Sequence, residues 1–252
     1  MGGRCASRAR PVSPGRCVEI PCPARRYSDR RVWHGRSDRF PLHATRAHSR
    51  LGKRGRKAAS RMTMTPQILS AALQIPLARA SSWADPLSAA MALYGIDSPA
   101  RQAAFLAQCG HESGRFQWLR EIWGPTQTQI SYEPPTAKAK ALGNTQPGDG
   151  FRYRAGGLIG ITGRYNFRVM GQKIGVDLEG NPDLITQPSI AALASAQFWT
   201  DNALNAFADA GDFLSISRAI NLGNPRSAAT PNGMPDRQAL WKTCKAALGI
   251  PA

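Results

Sequence analysis

The 252-residue chain is poor in the residue types that build metal centres and membrane spans. Histidine occurs four times, and His111 is the only one beyond residue 48. The five cysteines are scattered, with Cys5, Cys17 and Cys22 near the start and Cys109 and Cys244 far beyond them. Neither set has zinc-ligand spacing, so no metal and no cofactor are expected. An odd cysteine count at irregular spacing is not a disulfide framework either. Cys109 lies in an apolar stretch and reads as a small buried hydrophobe, with a Cys109–Cys244 bridge as the alternative. No apolar run approaches the roughly 20 residues needed to cross a bilayer. The N-terminus is basic, but no apolar stretch follows it to complete a secretory signal.

Acidic residues are scarce in the first quarter of the chain. Residues 1–63 hold 17 of the 33 Lys+Arg and 3 of the 16 Asp+Glu, a net charge of +14; residues 64–252 carry the remaining +3. The first segment is rich in Arg, Ser, Pro and Gly and has no helical or strand period, the composition of a disordered tail. It reads as an arm for nucleic acid or an anionic surface, as a targeting peptide, or as a stretch ahead of the true start. The last fits best, because Met62 and Met64 immediately precede the first globular pattern. Aromatic residues do not interleave with the arginines as a single-strand nucleic-acid surface requires. No nucleic-acid partner is expected for the globular part.

From Met64 onward the pattern is helical. Thr65-Pro66 supplies an N-cap and a first-turn proline, followed by Ile68, Leu69, Ala72 and Leu73 at helical spacing. Ser82 or Asp85-Pro86 opens a second helix through Leu87, Met91 and Leu93, closed by Gly95. Asp97-Ser98-Pro99 opens a third, carrying Ala103, Phe105, Leu106 and Cys109 to His111 and Glu112. Residues 124–157 are rich in Gly, Pro, Thr and Gln and read as a long loop, which in a compact domain is usually functional. Helical patterns return at 163–174, 188–204, 212–222 and 235–248. The expected fold is mainly α, a single domain over 64–252 with a long active-site loop.

Glu112 ends an apolar helix and precedes Ser113-Gly114. A glutamate at a helix end beside small residues suits a proton donor, because burial favours its protonated form and the small residues admit a ligand. On spacing alone the plainer reading is a surface helix residue beside a structural histidine. The motifs downstream change that balance. Phe105-Leu106-Ala107-Gln108 leads into Gly110-His111-Glu112-Ser113-Gly114. Leu142-Gly143-Asn144-Thr145-Gln146-Pro147-Gly148-Asp149-Gly150, Tyr153-Arg154, Gly157-Leu158-Ile159 and Thr162-Gly163-Arg164-Tyr165-Asn166 follow. Asn181-Pro182, Phe198-Trp199, Ile220-Asn221 and Asp236-Arg237 close the series. In this order the motifs resemble glycoside hydrolase family 19, the chitinase-like family that includes many phage endolysins, over about residues 64–252.

The resemblance implies a lysozyme-like α-helical fold and an inverting glycosidase. Such an enzyme needs one carboxylic acid for the leaving oxygen and one carboxylate to activate water. Glu112 matches the acid. For the second carboxylate, Glu133 suits the base position of the chitinases and is preferred; Glu121, nine residues after Glu112, is the alternative. Thr162 matches a hydroxyl that holds the attacking water. His111, Tyr153, Asn166, Asn221 and Arg237 match positions around the substrate, with Arg237 near the carboxylates. Tyr132, Tyr153, Tyr165 and Trp123 are candidates for stacking on sugar faces, against the ordinary alternative of core packing.

The chain also departs from the family. Where the family runs Tyr-Arg-Gly-Arg-Gly-Leu-Ile-Gln, this chain has Tyr153-Arg154-Ala155-Gly156-Gly157-Leu158-Ile159-Gly160. Ala155 clashes if its position needs positive φ; Gly156 lacks a guanidinium; Gly160 lacks an amide toward substrate. Reduced activity is the expectation, with restoration of Gln at 160 expected to raise it. The resemblance favours a monomeric peptidoglycan-degrading endolysin of phage or prophage origin. A chitinase acting on chitin oligosaccharides, a lytic transglycosylase and a non-catalytic wall-binding protein are the alternatives. Without an export signal, the protein is expected in the cytoplasm until a holin-type pore gives it access to the periplasm and cell wall.

Overall fold

The computed structural model describes residues 63–251, so the readings of the basic segment lie, Thr63 aside, outside the described residues. Eleven α-helices follow one another in that span: α1 (Pro66–Leu73), α2 (Leu77–Leu93), α3 (Pro99–Glu112), α4 (Gln127–Ile130), α5 (Ala137–Leu142), α6 (Asp149–Arg152), α7 (Arg164–Ile174), α8 (Pro188–Asp201), α9 (Leu204–Asp209), α10 (Phe213–Leu222) and α11 (Met234–Ala247). A short 3₁₀ helix, Pro182–Thr186, precedes α8. The mainly α expectation holds.

α3 is the axis of the molecule. Ser98 caps it by accepting the Arg101 N–H, and every residue from Gln102 to Gly110 is buried. α11, α1, α9 and α10 all pack on it. Gly110 makes the closest approach possible: a Cβ there would lie 2.7 Å from Leu73 Cδ2 of α1. Phe105 meets Trp199 of α8 edge to face, with centroids 5.4 Å apart. Cys109 of α3 and Cys244 of α11 are both buried free thiols, so the bridge weighed from sequence is not formed.

Two expectations are corrected. α2 begins at Leu77, and Pro86 lies inside it rather than at its start. A mid-helix proline costs about 3 kcal/mol. Trp83, Leu87 and Met91 are buried on the same helix, each worth about 1.5–3 kcal/mol, so packing outweighs the local preference. The expected loop at 124–157 holds α4, α5 and α6, of four, six and four residues. None is long enough to show a hydrophobic period. Local caps and tertiary staples hold them instead. Thr126 and Gln129 form a capping box around α4. Asn144 donates to the Tyr132 carbonyl at 2.9 Å and accepts the Arg164 N–H at 2.8 Å.

A small backbone clasp carries the glycine-rich run. Glu121 N–H donates to the Ala155 carbonyl at 2.9 Å, Gly157 N–H to Leu119 at 3.0 Å, and Gly156 and Ile161 exchange bonds at 2.9 Å. The three departures from the family pattern find their explanation here. Ala155 is absent from the residues of positive φ, so its methyl group meets no conformational penalty. At Gly156 a Cβ would lie 2.6 Å from Ile185 Cγ2 and 3.1 Å from Arg120 Nη1. No side chain fits there, and a guanidinium arrives from the neighbouring segment. Arg120 donates to the carbonyls of Arg154 and Arg152, both at 3.1 Å, and pairs with Asp183 at 2.7 Å. Gly160 has φ of +70°, a left-handed geometry that costs an L-residue roughly 1–2 kcal/mol. Gly160→Gln is therefore expected to lower stability by about 1–2 kcal/mol in denaturant titration, whatever its amide does for activity.

Asp149 ties the short helices to α7. Its Oδ2 accepts N–H groups of Thr145 and Gln146 and the Arg164 Nε, at 2.8, 3.0 and 2.8 Å, while Oδ1 takes Arg164 Nη2 at 2.5 Å. Burial pushes the Asp149 carboxyl up, but Arg164 and the two backbone donors outweigh it and hold the group below the usual carboxylate range. A depressed pKa stabilises the fold above the unfolded value and loses that contribution as pH falls through the folded one. Asp149→Asn should cost about 2–3 kcal/mol at pH 7, since it breaks a largely buried pair. The gap to wild type in thermal unfolding should close as pH drops below about 4, where the unfolded carboxyl titrates.

Candidate active site

Glu112 is the last residue of α3 and only 5% exposed. The chain reverses directly after it. Ser113 Oγ donates to the Cys109 carbonyl and accepts the Phe116 N–H, and Gly114, Arg115 and Phe116 all take left-handed φ of 58–63°. Two of these are not glycines, a strain that surrounding contacts must hold. Here Arg115 N–H donates to the Gly110 carbonyl at 2.6 Å and Trp118 N–H to Ser113 at 2.8 Å.

α11 supplies the counter-charge. Arg237 is 1% exposed, and its Nη2 donates to Glu112 Oε1. Its Nη1 donates to Gln108 Oε1 and its Nε to the Asn232 carbonyl at 3.0 Å. Gln108 in turn donates to Ser217 Oγ of α10 at 2.7 Å. Asn232 N–H donates to Asn221 Oδ1 at 2.8 Å, fixing that amide on the cleft wall. One buried guanidinium thus joins α3, α11 and the segment before it. Gln108 stands in the sequence within the motif Phe105-Leu106-Ala107-Gln108, which by itself assigns it no role.

Glu112 lines a cleft together with Tyr132, Lys138, Thr162, Asn166 and Asn221. Thr162 Oγ1 donates to the Gly160 carbonyl at 3.0 Å, and Asn166 Nδ2 to the Thr162 carbonyl at 2.7 Å. The structure therefore brings Glu112, Thr162, Asn166 and Asn221 to one wall system. Lys138 joins them from α5, in the stretch where sequence showed no period and so no reason to single it out.

Other expected site residues stand elsewhere. Tyr153 is 1% exposed and belongs to the core. Its hydroxyl donates to the Glu179 carbonyl at 3.0 Å, and Arg164 lies 4.7 Å from its ring centroid. His111 faces α11 rather than a sugar, with Nδ1 2.7 Å from Asp236 Oδ2 and its ring against Gly233. Burial lowers the His111 pKa, Arg237 adds to this, and Glu112 and Asp236 only partly oppose it. The ring is a neutral brace between the helices. Arg237, too, is committed to Glu112 and Gln108 instead of to ligand. Among the aromatic candidates Tyr132 lines the cleft, Tyr165 is exposed, and Trp123 packs edge to face on Phe151 at 5.4 Å.

The two candidates for the second carboxylate are in different situations. Glu133 Oε2 accepts the Gly148 N–H at 2.9 Å and Oε1 the Phe151 N–H at 3.2 Å, so both oxygens close the start of α6. A helix N-terminus favours such an anion without any catalytic role. Glu121 sits on the backbone clasp, its Oε2 accepting the Ala155 N–H at 3.2 Å, and its charge is felt by Lys138 on the cleft wall.

Comparisons with known proteins bear on the family and the fold. Residues 89–210 match the family model described as class I chitinase of glycosyl hydrolase family 19. A glycosyl hydrolase family 19 domain-containing protein of Haemophilus influenzae is 32% identical over 179 residues, covering 62% of this chain and 84% of that protein. Chitinase 6 of Oryza sativa subsp. japonica is 29% identical over 150 residues, 58% of this chain and 51% of its own length. The chain thus spans about half of the rice protein. Chitinase C from Streptomyces griseus shares the fold at a TM-score of 0.58 and 20% identity, covering 75% of this chain and 77% of that one. A bacterial family 19 chitinase superposes at 0.56 and 20% identity, covering 75% and 97%. The helical scaffold, the ordered motifs and the Haemophilus relative lead to one conclusion: this chain belongs to glycosyl hydrolase family 19, a family of glycosidases.

Proposed function

We propose that this protein cleaves the β-1,4 bonds of bacterial peptidoglycan by an inverting acid/base mechanism, as a lysis enzyme of phage or prophage type. The observation that carries the reading is Glu112, buried at a helix end, held by Arg237 and opening onto a cleft that also presents Thr162, Asn166 and Asn221. Chitin is the second substrate reading, favoured by the chitinase names of the plant relatives. The protein acts as a monomer in this reading, and a membrane lesion of holin type brings it to the wall.

In the reaction, Glu112 first takes up a proton, leaving the ionised form that pairs with Arg237, and then gives it to the glycosidic oxygen as the bond to the anomeric carbon breaks. A water attacks that carbon from the opposite face, and the second carboxylate takes the water's proton. Arg237 stabilises the charge left on Glu112 once its proton has gone, an interaction that grows along the reaction coordinate. Thr162 orients the water, and Asn166 and Asn221 hold the sugar. For the second carboxylate the geometry favours Glu121. Glu133 has both oxygens occupied by backbone donors at α6, and freeing one would leave a helix start uncapped.

Digestion of purified peptidoglycan and of chitin by the full chain, with products identified by mass and by anomeric configuration, tests the reading. Hydrolysed products of inverted configuration are expected. Anhydro-sugars would establish transglycosylation instead, and binding without release of products would establish a non-catalytic wall protein. Removing a general acid or base typically costs 10²–10⁴-fold in rate, and Glu112→Gln and Glu121→Gln are each expected to fall in that range. Glu133→Gln should lose about 1 kcal/mol of stability through its cap contacts and keep most of its turnover. Full activity in Glu121→Gln with loss in Glu133→Gln would return the base role to Glu133.

A further inference from the structure

The cleft contains a cation that the mechanism does not use. Lys138 lies on α5 and lines the same cleft as Glu112. Its ammonium sits 5.9 Å from the Tyr132 ring centroid. Tyr132 is 3% exposed and lines the cleft as well. Desolvation lowers the Lys138 pKa, and the more distant charge of Glu121 opposes that only in part. Among the described residues the ammonium makes no ion pair and no hydrogen bond. The other lysine on this wall, Lys173, is held by Asp201 at 2.9 Å.

A half-buried ammonium with no ion pair or hydrogen bond, offset only by the through-space charge of Glu121, recovers only part of its desolvation cost. An anionic group entering the cleft would remove that cost; a neutral one would add to it. The two candidate substrates differ in this respect. A polymer of N-acetylglucosamine is neutral along its length. The wall glycan carries an acidic ether substituent, as a free carboxylate or extended into a peptide that bears carboxylates. We infer that Lys138 is a specificity-determining residue that pairs with a carboxylate of the glycan's acidic substituent, with Tyr132 as the apolar floor beneath the pair. The inference rests on the reading of the cleft as a glycan site and selects the acidic glycan over the neutral one.

Binding separates the inference from turnover. Three ligands are titrated calorimetrically into the full chain carrying Glu112→Gln. They are a muramic-acid-containing tetrasaccharide with free carboxylates, its methyl ester, and an N-acetylglucosamine tetrasaccharide. With Lys138 present, the free acid should bind about tenfold more tightly than its ester, a typical effect for one partly desolvated charge pair. Lys138→Met should remove that ratio, and Lys138→Arg should keep most of it. Equal weakening of all three ligands by Lys138→Met, an unchanged ratio, or no binding of the free acid would each overturn the inference. Hydrolysis by the wild-type chain is judged apart from this. Selective binding without cleavage would sink the glycosidase reading and leave Lys138 standing. Equal cleavage of acidic and neutral polymers, with the ratio absent, would do the reverse.

Discussion

The architecture depends on one buried ion pair, Arg237 with Glu112. Both groups are almost fully removed from water. An unpaired charge at such a depth costs several kcal/mol, more than most single contacts contribute. The rest of the polar interior follows from that constraint. Gln108 and the Asn232 carbonyl satisfy the guanidinium on its other edges, and Ser217 satisfies Gln108. The partners lie on α3, on α10 and in the segment before α11, so meeting the electrostatic requirement also sets how α3, α10 and α11 lie against one another. The reactive carboxylate and the central helical joint are the same object.

That identity explains why residues expected to touch substrate turn up as braces. His111 is one residue before Glu112 and Asp236 one before Arg237, so a bond between them duplicates the neighbouring ion pair one step along both helices. Arg115 reaches Asp236 at 3.4 Å from the strained reversal that follows Glu112. The reversal, the helix end and the N-terminal turn of α11 are thereby locked as one piece. The opposing side of the site is built differently. There the clasp around residues 119–121 and 154–161 uses backbone pairing, and Arg120 ties it to the 3₁₀ helix through Asp183.

Much of this was legible in the sequence, in proportion to how local the cause was. Thr65-Pro66 and Ser98-Pro99 are complete helix starts within a few residues, and both lie where expected. Glu112, Thr162, Asn166 and Asn221 occupy ordered motifs and converge on the cleft. Pro86 misled because burial of Trp83, Leu87 and Met91 is a tertiary fact that no local rule contains. The helices of 124–157 were hidden because they rest on long-range partners such as Arg164 and Asn144 rather than on a hydrophobic period. Tyr153 was taken for a ligand contact because a motif marks a position without saying whether the side chain points in or out. Lys138 carried no signal at all: its meaning depends on its lacking a direct ion pair, which only three-dimensional proximity defines.

The altered glycine-rich run shows what a motif physically specifies. The family pattern places an arginine where this chain has Gly156. Read as letters, that is a lost charge. In the fold, the space beside Gly156 is filled by Ile185 and by the guanidinium of Arg120, so a side chain at 156 would have to displace them. At Gly160 the left-handed backbone sets a conformational cost of roughly 1–2 kcal/mol against the side chain that the pattern would supply.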